Sequence, residues 1–225
     1  MNDLIGIEAK KQEFLEIYRT NITRDGADEF LQWLLQTDFF DAPASTRFHG
    51  SYKGGLLAHS LNVHHELLCL LESSERLGAK IERQHYSDET VAIVSLLHDV
   101  CKAQFYKPEF KNQKNYDAEA VAAMKKAFPS EVKRDASGEF FWDKVQQYTI
   151  DEEFPIGHGE KSVILIQSKM KLTANEIYAI RAHMGGWDTS VRGGDRFVGQ
   201  IFEKSELALF LHMADMAASY LLEKE

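Results

Sequence analysis

Cysteine, basic charge and long apolar runs are all scarce in this sequence, and each shortage removes a class of protein. Only two cysteines occur, Cys69 and Cys101, both in apolar helical contexts. No disulfide framework is expected, and a reducing compartment suits the chain. The formal net charge of -9 argues against a broad nucleic-acid surface, because the phosphate backbone draws most of its affinity from Lys and Arg. No stretch approaches the roughly 18 apolar residues of a membrane span, and Met1 to Lys10 is charged where a signal peptide would be apolar. A cytoplasmic location is the expectation. Internal repeats and low-complexity tracts are absent. The run Gly159-Glu160-Lys161-Ser162 lacks the spacing and preceding strand of a phosphate-binding loop, and no Ser-His-Asp nucleophile elbow occurs.

What is present suits a globular domain. Hydrophobic residues make up 44% and charged residues 27%, which excludes disorder. A length of 225 residues is enough for one domain with a sizeable core. The expected organisation is a single domain over 1–225, with helices of 1–47 packed on a core of 48–222.

Apolar periodicity predicts helices over Asp3 to Arg19, Asp25 to Gln36 and Leu56 to Leu77, the last closed by Gly78. Ser87 or Asp88 opens the next, which runs through Val91, Val94 and Leu97 into His98-Asp99. After Lys102 the pattern breaks, with Pro108 and a lysine-rich stretch, before a short helix from Asp117 to Phe128. Asp135-Ala136-Ser137-Gly138 is turn chemistry between β-prone residues, so a small β-hairpin insertion is expected around 132–154. Ser162 to Met170 continues helical. Thr173-Ala174-Asn175-Glu176 is a capping box opening a helix that stops at Gly185-Gly186. Trp187 to Gly199 reads as a glycine-rich loop, and Glu203 to Leu222 as a buried final helix. The fold class is all-α, with the hairpin as its one β element.

The chemistry concentrates at Ser95-Leu96-Leu97-His98-Asp99. An ionised carboxylate at the end of a buried helix is costly unless it is paired or bound to a cation, and histidine is the commonest metal-binding neighbour. Four more isolated ligands lie in comparable settings: His59, His158, His183 and Asp215. A single helical histidine is more often a satisfied core or surface residue than a ligand. The combination, and an Asp215 hard to justify without a cation, is what points to metal.

In these residues the chain resembles the histidine-aspartate (HD) superfamily of metal-dependent phosphohydrolases, whose motif is H…HD…D. His59, His98-Asp99 and Asp215 match it, with Gly-Gly-Leu-Leu-Ala-His-Ser around the first ligand and Leu-Leu-His-Asp at the second. The resemblance covers roughly Phe48 to Leu222. With His158 and His183 the order becomes H…HD…H…H…D, similar to members that hold two metals. By that resemblance His59, His98 and Asp215 would hold one divalent cation, His158 and His183 another, and Asp99 would bridge them. Imidazole and carboxylate ligands admit Fe, Mn, Zn, Ni or Co. Paired cations would polarise a phosphoryl oxygen and generate hydroxide near neutral pH, with Asp99 and Lys102 as the catalytic residues. Lys102 falls where the family has lysine in H-D-x-G-K, meeting the substrate phosphate, although Cys101 replaces the glycine.

Further candidates would support these residues from behind or face the substrate. Glu66, two turns beyond His59, would orient its imidazole, and His212 shares a face with Asp215. His49, Trp187, Arg192 and Arg196 would contact substrate. His64 and His65 read as core or surface residues, and Glu160 as a helix-dipole partner. Three functions are weighed: cleavage of a phosphate ester in a nucleotide or short oligonucleotide, a di-iron oxygenase of the myo-inositol oxygenase-like type, and a non-catalytic nucleotide-binding sensor. The expected partner is a small phosphorylated substrate, with neither membrane nor extensive nucleic acid.

Overall fold

A computed structural model of the chain describes residues 2–74 and 85–223. Among these residues the architecture is mainly helical with a small β insertion, as the patterning predicts, although the sheet has three strands where a two-stranded hairpin is expected. Two compact units form: Met1–Tyr106 with Asp151–Glu225, and Lys107–Ile150. No helix among the described residues is long and apolar enough to cross a membrane.

The first unit opens with α1 (Asn2–Asn21) and α2 (Ala27–Gln36), then α3 (Gly55–Glu72) and α4 (Asp88–Leu97). Phe14, Tyr18, Phe30 and Leu34 are buried in the same apolar cluster as Leu57, Leu61, Ile93 and Leu97, so α1 and α2 share one core with α3 and α4. Ser87 caps α4 by accepting from the Thr90 amide, which satisfies one of the orphan donors at the helix start. From Val91 to Leu97 every α4 residue is buried. The expected helix end at Leu77 and cap at Gly78 lie outside the described residues; α3 itself ends at Glu72, where the Ser73 amide bonds the Cys69 carbonyl. Gly55, at the first position of α3, is dictated by close approach. A Cβ there would sit 2.0 Å from the Gly50 carbonyl oxygen.

After the second unit come α6 (His158–Gln167) and α7 (Ala174–Ala182), once α5 below is counted. Thr173 and Glu176 form the capping box of α7. The stretch predicted as a loop from Trp187 to Gly199 holds α8 (Thr189–Arg192) and the first residues of α9 (Phe197–Lys204). Asp188 starts α8 by accepting from the Ser190 amide, a local side-chain cap that overrides the glycines around it. The single final helix predicted from Glu203 is two: Ser205 turns extended and caps α10 (Glu206–Ala217) through the Ala208 amide. A π turn follows over Ala218–Leu222.

The second unit holds α5 (Ala118–Ala127), β2 (Lys133–Asp135) and β3 (Gly138–Ile150), and β1 (Tyr106–Asn115) leads into it. The predicted hairpin is β2 and β3, antiparallel with Asp135 opposite Gly138. β3 is central in the order β1-β3-β2. β1 escaped the sequence reading because Lys107 through Gln113 are all exposed. Pairing with β3 defines this edge strand without a periodic apolar face, and Pro108 is tolerated there as on other edges.

Candidate metal centre

Two helix C-termini build the centre by one local device. His98 is the C-cap of α4 and His183 the C-cap of α7. His98 Nδ1 lies 2.8 Å from the Ser95 carbonyl oxygen and His183 Nδ1 2.7 Å from that of Ile180, each three residues back in its own helix. In each case Nδ1–H donates to a carbonyl that the helix end leaves orphaned. Nε2 is then a lone pair aimed away from the helix. The negative poles of both helices add a preference for positive charge.

His59 reaches the same point from α3. Its Nδ1 meets the Glu223 carboxylate at 3.1 and 3.2 Å, so its Nε2 also faces inward. There it stands 3.3 Å from His98 Nε2, 3.3 Å from Asp215 Oδ1 and 3.7 Å from Asp99 Oδ2. Asp99, directly after the α4 cap, divides its oxygens. Oδ2 faces Lys102 Nζ at 2.6 Å and His98 Nε2 at 3.6 Å, while Oδ1 faces His183 Nε2 at 3.3 Å. His59, His98 and His183 have no exposed surface, and Asp99 is 2% exposed.

This arrangement fits cations on its own chemistry. With all three Nδ1 hydrogens committed outward, the inward atoms are imidazole lone pairs and carboxylate oxygens, which repel unless positive charge lies among them. His183 Nε2 shows the deficit most plainly: it is buried and makes no hydrogen bond, although Asp99 Oδ1 is near. His59, His98 and Asp99 present ligand atoms within 4.8 Å of one another, as do His98, His183 and Asp215. Buried His and Asp groups here could hold metal ions.

Without a metal, protons and one lysine supply the positive charge. Burial pushes the His59 imidazole down, but the Asp215 and Glu223 carboxylates outweigh it and raise it to about 9. His98, buried with less compensation, falls to about 4. Burial opposes charge on Asp99 as well, yet the Lys102 ammonium and the His98 and His183 imidazoles hold it well below the ordinary carboxylate range. Lys102 itself is raised, since Asp99 outweighs its own burial.

The remaining predicted residues fall in varied places. His158, at the start of α6, packs its ring on Phe105 and sets Nδ1 3.5 Å from Cys101 Sγ. It joins none of the tight ligand groups. Burial pushes that thiol up to about 12, so Cys101 stays a protonated packing partner. His49 brings its ring centroid to 5.0 Å from that of His59, and its Nε2 is buried without a hydrogen bond. His212 Nδ1 meets the His183 carbonyl oxygen at 2.6 Å, steadying that residue from behind. Beside it Gly185 has φ +54, and a Cβ there would strike the His212 ring. The carboxylate on His59 is that of Glu223, not the Glu66 that the spacing along the helix suggests. Trp187 is half exposed with the Arg192 guanidinium 5.2 Å from its ring, and Arg196 is exposed. Buried His64 bonds Ser95 Oγ at 2.9 Å, exposed His65 pairs with Glu13, and Glu160 pairs with Arg181. Sequence reasoning missed Glu223 and Asn62, whose Nδ2 holds Glu223 Oε1 at 2.8 Å.

Comparison with known proteins returns no match: no family model, no curated protein and no solved structure is significantly similar to the chain. The chemistry of the centre therefore follows from its own atoms.

Proposed function

We propose that this protein is an HD-type metal-dependent phosphohydrolase that cleaves a phosphate ester of a nucleotide or short oligonucleotide. The observation that carries the reading is the divided carboxylate of Asp99, with Oδ2 toward His59 and His98 and Oδ1 toward His183. A carboxylate so placed is suited to serve two cations at once. His59, His98 and Asp215 would hold one, and His183 with His158 the other. Two bound divalent cations supply polarised phosphoryl oxygens and a hydroxide near neutral pH. Lys102 contributes a buried ammonium beside the Asp99 carboxylate, which would donate to a phosphoryl oxygen of the substrate. His98 and His183 stay correctly oriented because their Nδ1 hydrogens remain tied to Ser95 and Ile180. The acidic balance of the chain favours a small substrate over polymeric nucleic acid.

The test is hydrolysis of a panel of phosphomonoesters, dNTPs, cyclic dinucleotides and short RNAs by Mn²⁺-loaded protein, with Asp99→Ala beside it. At least one substrate turns over, and Asp99→Ala abolishes that turnover. Activity surviving in Asp99→Ala, or dioxygen consumption in place of phosphate release, overturns the reading.

A further inference from the structure

We infer that Glu223 is a positioning residue for the His59 imidazole, so that the π turn after α10 tunes the metal affinity of a centre whose imidazoles stand on α3, α4 and α7. This rests on reading His59 as a metal ligand. Both Glu223 oxygens lie on His59 Nδ1, at 3.1 and 3.2 Å, and Asn62 Nδ2 holds Oε1 from one turn further along α3. The Glu223 side chain is 6% exposed and that of His59 fully buried. Such a carboxylate fixes the tautomer and ring orientation and strengthens Nε2 as a donor.

The route by which Glu223 arrives supports a built role. Asp215, on α10, faces His59 Nε2, and Glu223 faces Nδ1 of the same ring, eight positions later in the sequence. In an uninterrupted α-helix, eight residues leave a side chain about 80° past two full turns, well off the Asp215 face. The π turn over Ala218–Leu222, closed by the Glu223 amide on the Ala218 carbonyl at 3.0 Å, absorbs one residue. Glu223 then returns to within about 20° of that face. One helical strand thus brings a carboxylate to each nitrogen of a single imidazole.

His49, His59 and Glu223 also offer ligand atoms within 4.8 Å of one another. The two alternatives for Glu223, orienting His59 or ligating a cation itself, predict different titrations. The experiment is Co²⁺ titration of the full chain, followed by calorimetry and by visible absorption, on wild type, Glu223→Ala, Glu223→Gln and the exposed neighbour Leu221→Ala. Glu223→Ala weakens Co²⁺ binding about 10–100-fold with stoichiometry kept. Glu223→Gln, which retains an acceptor for Nδ1–H, loses less, and Leu221→Ala matches wild type. Melting in EDTA verifies that each variant folds. An unchanged Co²⁺ affinity in Glu223→Ala overturns the inference, as does loss of one whole ion with the remaining affinity intact. A wild type that binds no Co²⁺ refutes the metal reading instead. In that event the downfield Nδ1 proton of His59, present in wild type and absent in Glu223→Ala, still tests the positioning contact; its persistence in the variant overturns it.

Discussion

Replacing Lys102 with methionine separates the ion pair that this side chain makes with Asp99 from the substrate contact proposed for it. Methionine keeps most of the apolar stem and removes the ammonium that lies 2.6 Å from Asp99 Oδ2 in a buried setting. Deleting one member of a buried ion pair costs about 3–5 kcal/mol, because the other charge is left uncompensated. Here compensation is partial: His59 Nε2 is 3.7 Å from the same oxygen, and with its pKa raised to about 9 that ring is charged at neutral pH. The loss therefore falls at the lower end, about 3 kcal/mol. At about 2–4 °C per kcal/mol for a chain of this length, Lys102→Met in EDTA at neutral pH melts about 6–12 °C below wild type.

Saturating Mn²⁺ should then close much of that gap. A cation at a hundred times its Kd stabilises either folded protein by about 2.7 kcal/mol, and each tenfold tighter binding in the variant, where no ammonium competes for Asp99 Oδ2, adds about 1.4 kcal/mol to its side. Phosphate-ester turnover stays impaired, since the counter-charge for the phosphoryl group is gone. Thermal melts of both proteins, with EDTA and with Mn²⁺, read all of this. A metal-free variant melting with wild type would show that Asp99 does not depend on Lys102, and a gap that ignores Mn²⁺ would show that the cation does not reach Asp99.

His183→Ala should lower bound metal per chain more than His158→Ala, because His183 Nε2 is 3.3 Å from Asp99 whereas His158 stands outside the tight groups; equal losses by elemental analysis would contradict this. Gly55→Ala places a methyl 2.0 Å from the Gly50 carbonyl oxygen, which rigid backbone cannot relieve, so a loss of about 3 kcal/mol or more and weakened metal binding through α3 are expected. A melt within about 2 °C of wild type would refute it. Arg24 clamps Glu176 at 2.8 Å and Glu89 at 3.1 Å. Burial opposes the charge on both carboxyls, yet the donors around them hold both below the ordinary range. Lowered folded-state values mean that this stability is present above the unfolded value, about 4.3, and is lost as pH falls through it and on through the folded values. Wild type should accordingly lose more melting temperature between about pH 5 and pH 3 than Arg24→Met does, and parallel curves would refute the coupling. Inserting one alanine after Leu221 should mimic Glu223→Ala in Co²⁺ affinity, since it turns the carboxylate about 100° away, whereas deleting Leu221 should be tolerated by relaxing the π turn to α; the reverse ranking would exclude the register argument.

Legibility in this sequence follows the distance over which each contact is made. The Ser87 cap, the Thr173 and Glu176 box and the turn at Asp135 to Gly138 are satisfied within a few residues, so composition and spacing were enough to read them. The orientation of His98 and His183 is local too, each ring bonding a carbonyl three residues back. A histidine that closes its own helix end is therefore legible from local sequence. β1 lacked an apolar period because its neighbour, and no core, defines it. Glu66 is the carboxylate that spacing along α3 offers His59, whereas Glu223 contacts it across 164 positions, through a π turn that no propensity announces. The division of Asp99 between two sets of imidazoles requires α3, α4 and α7 to converge within a few ångströms, a long-range fact. Chemistry that a single helix end can enforce was written locally, and the geometry that makes it a centre was written in the packing.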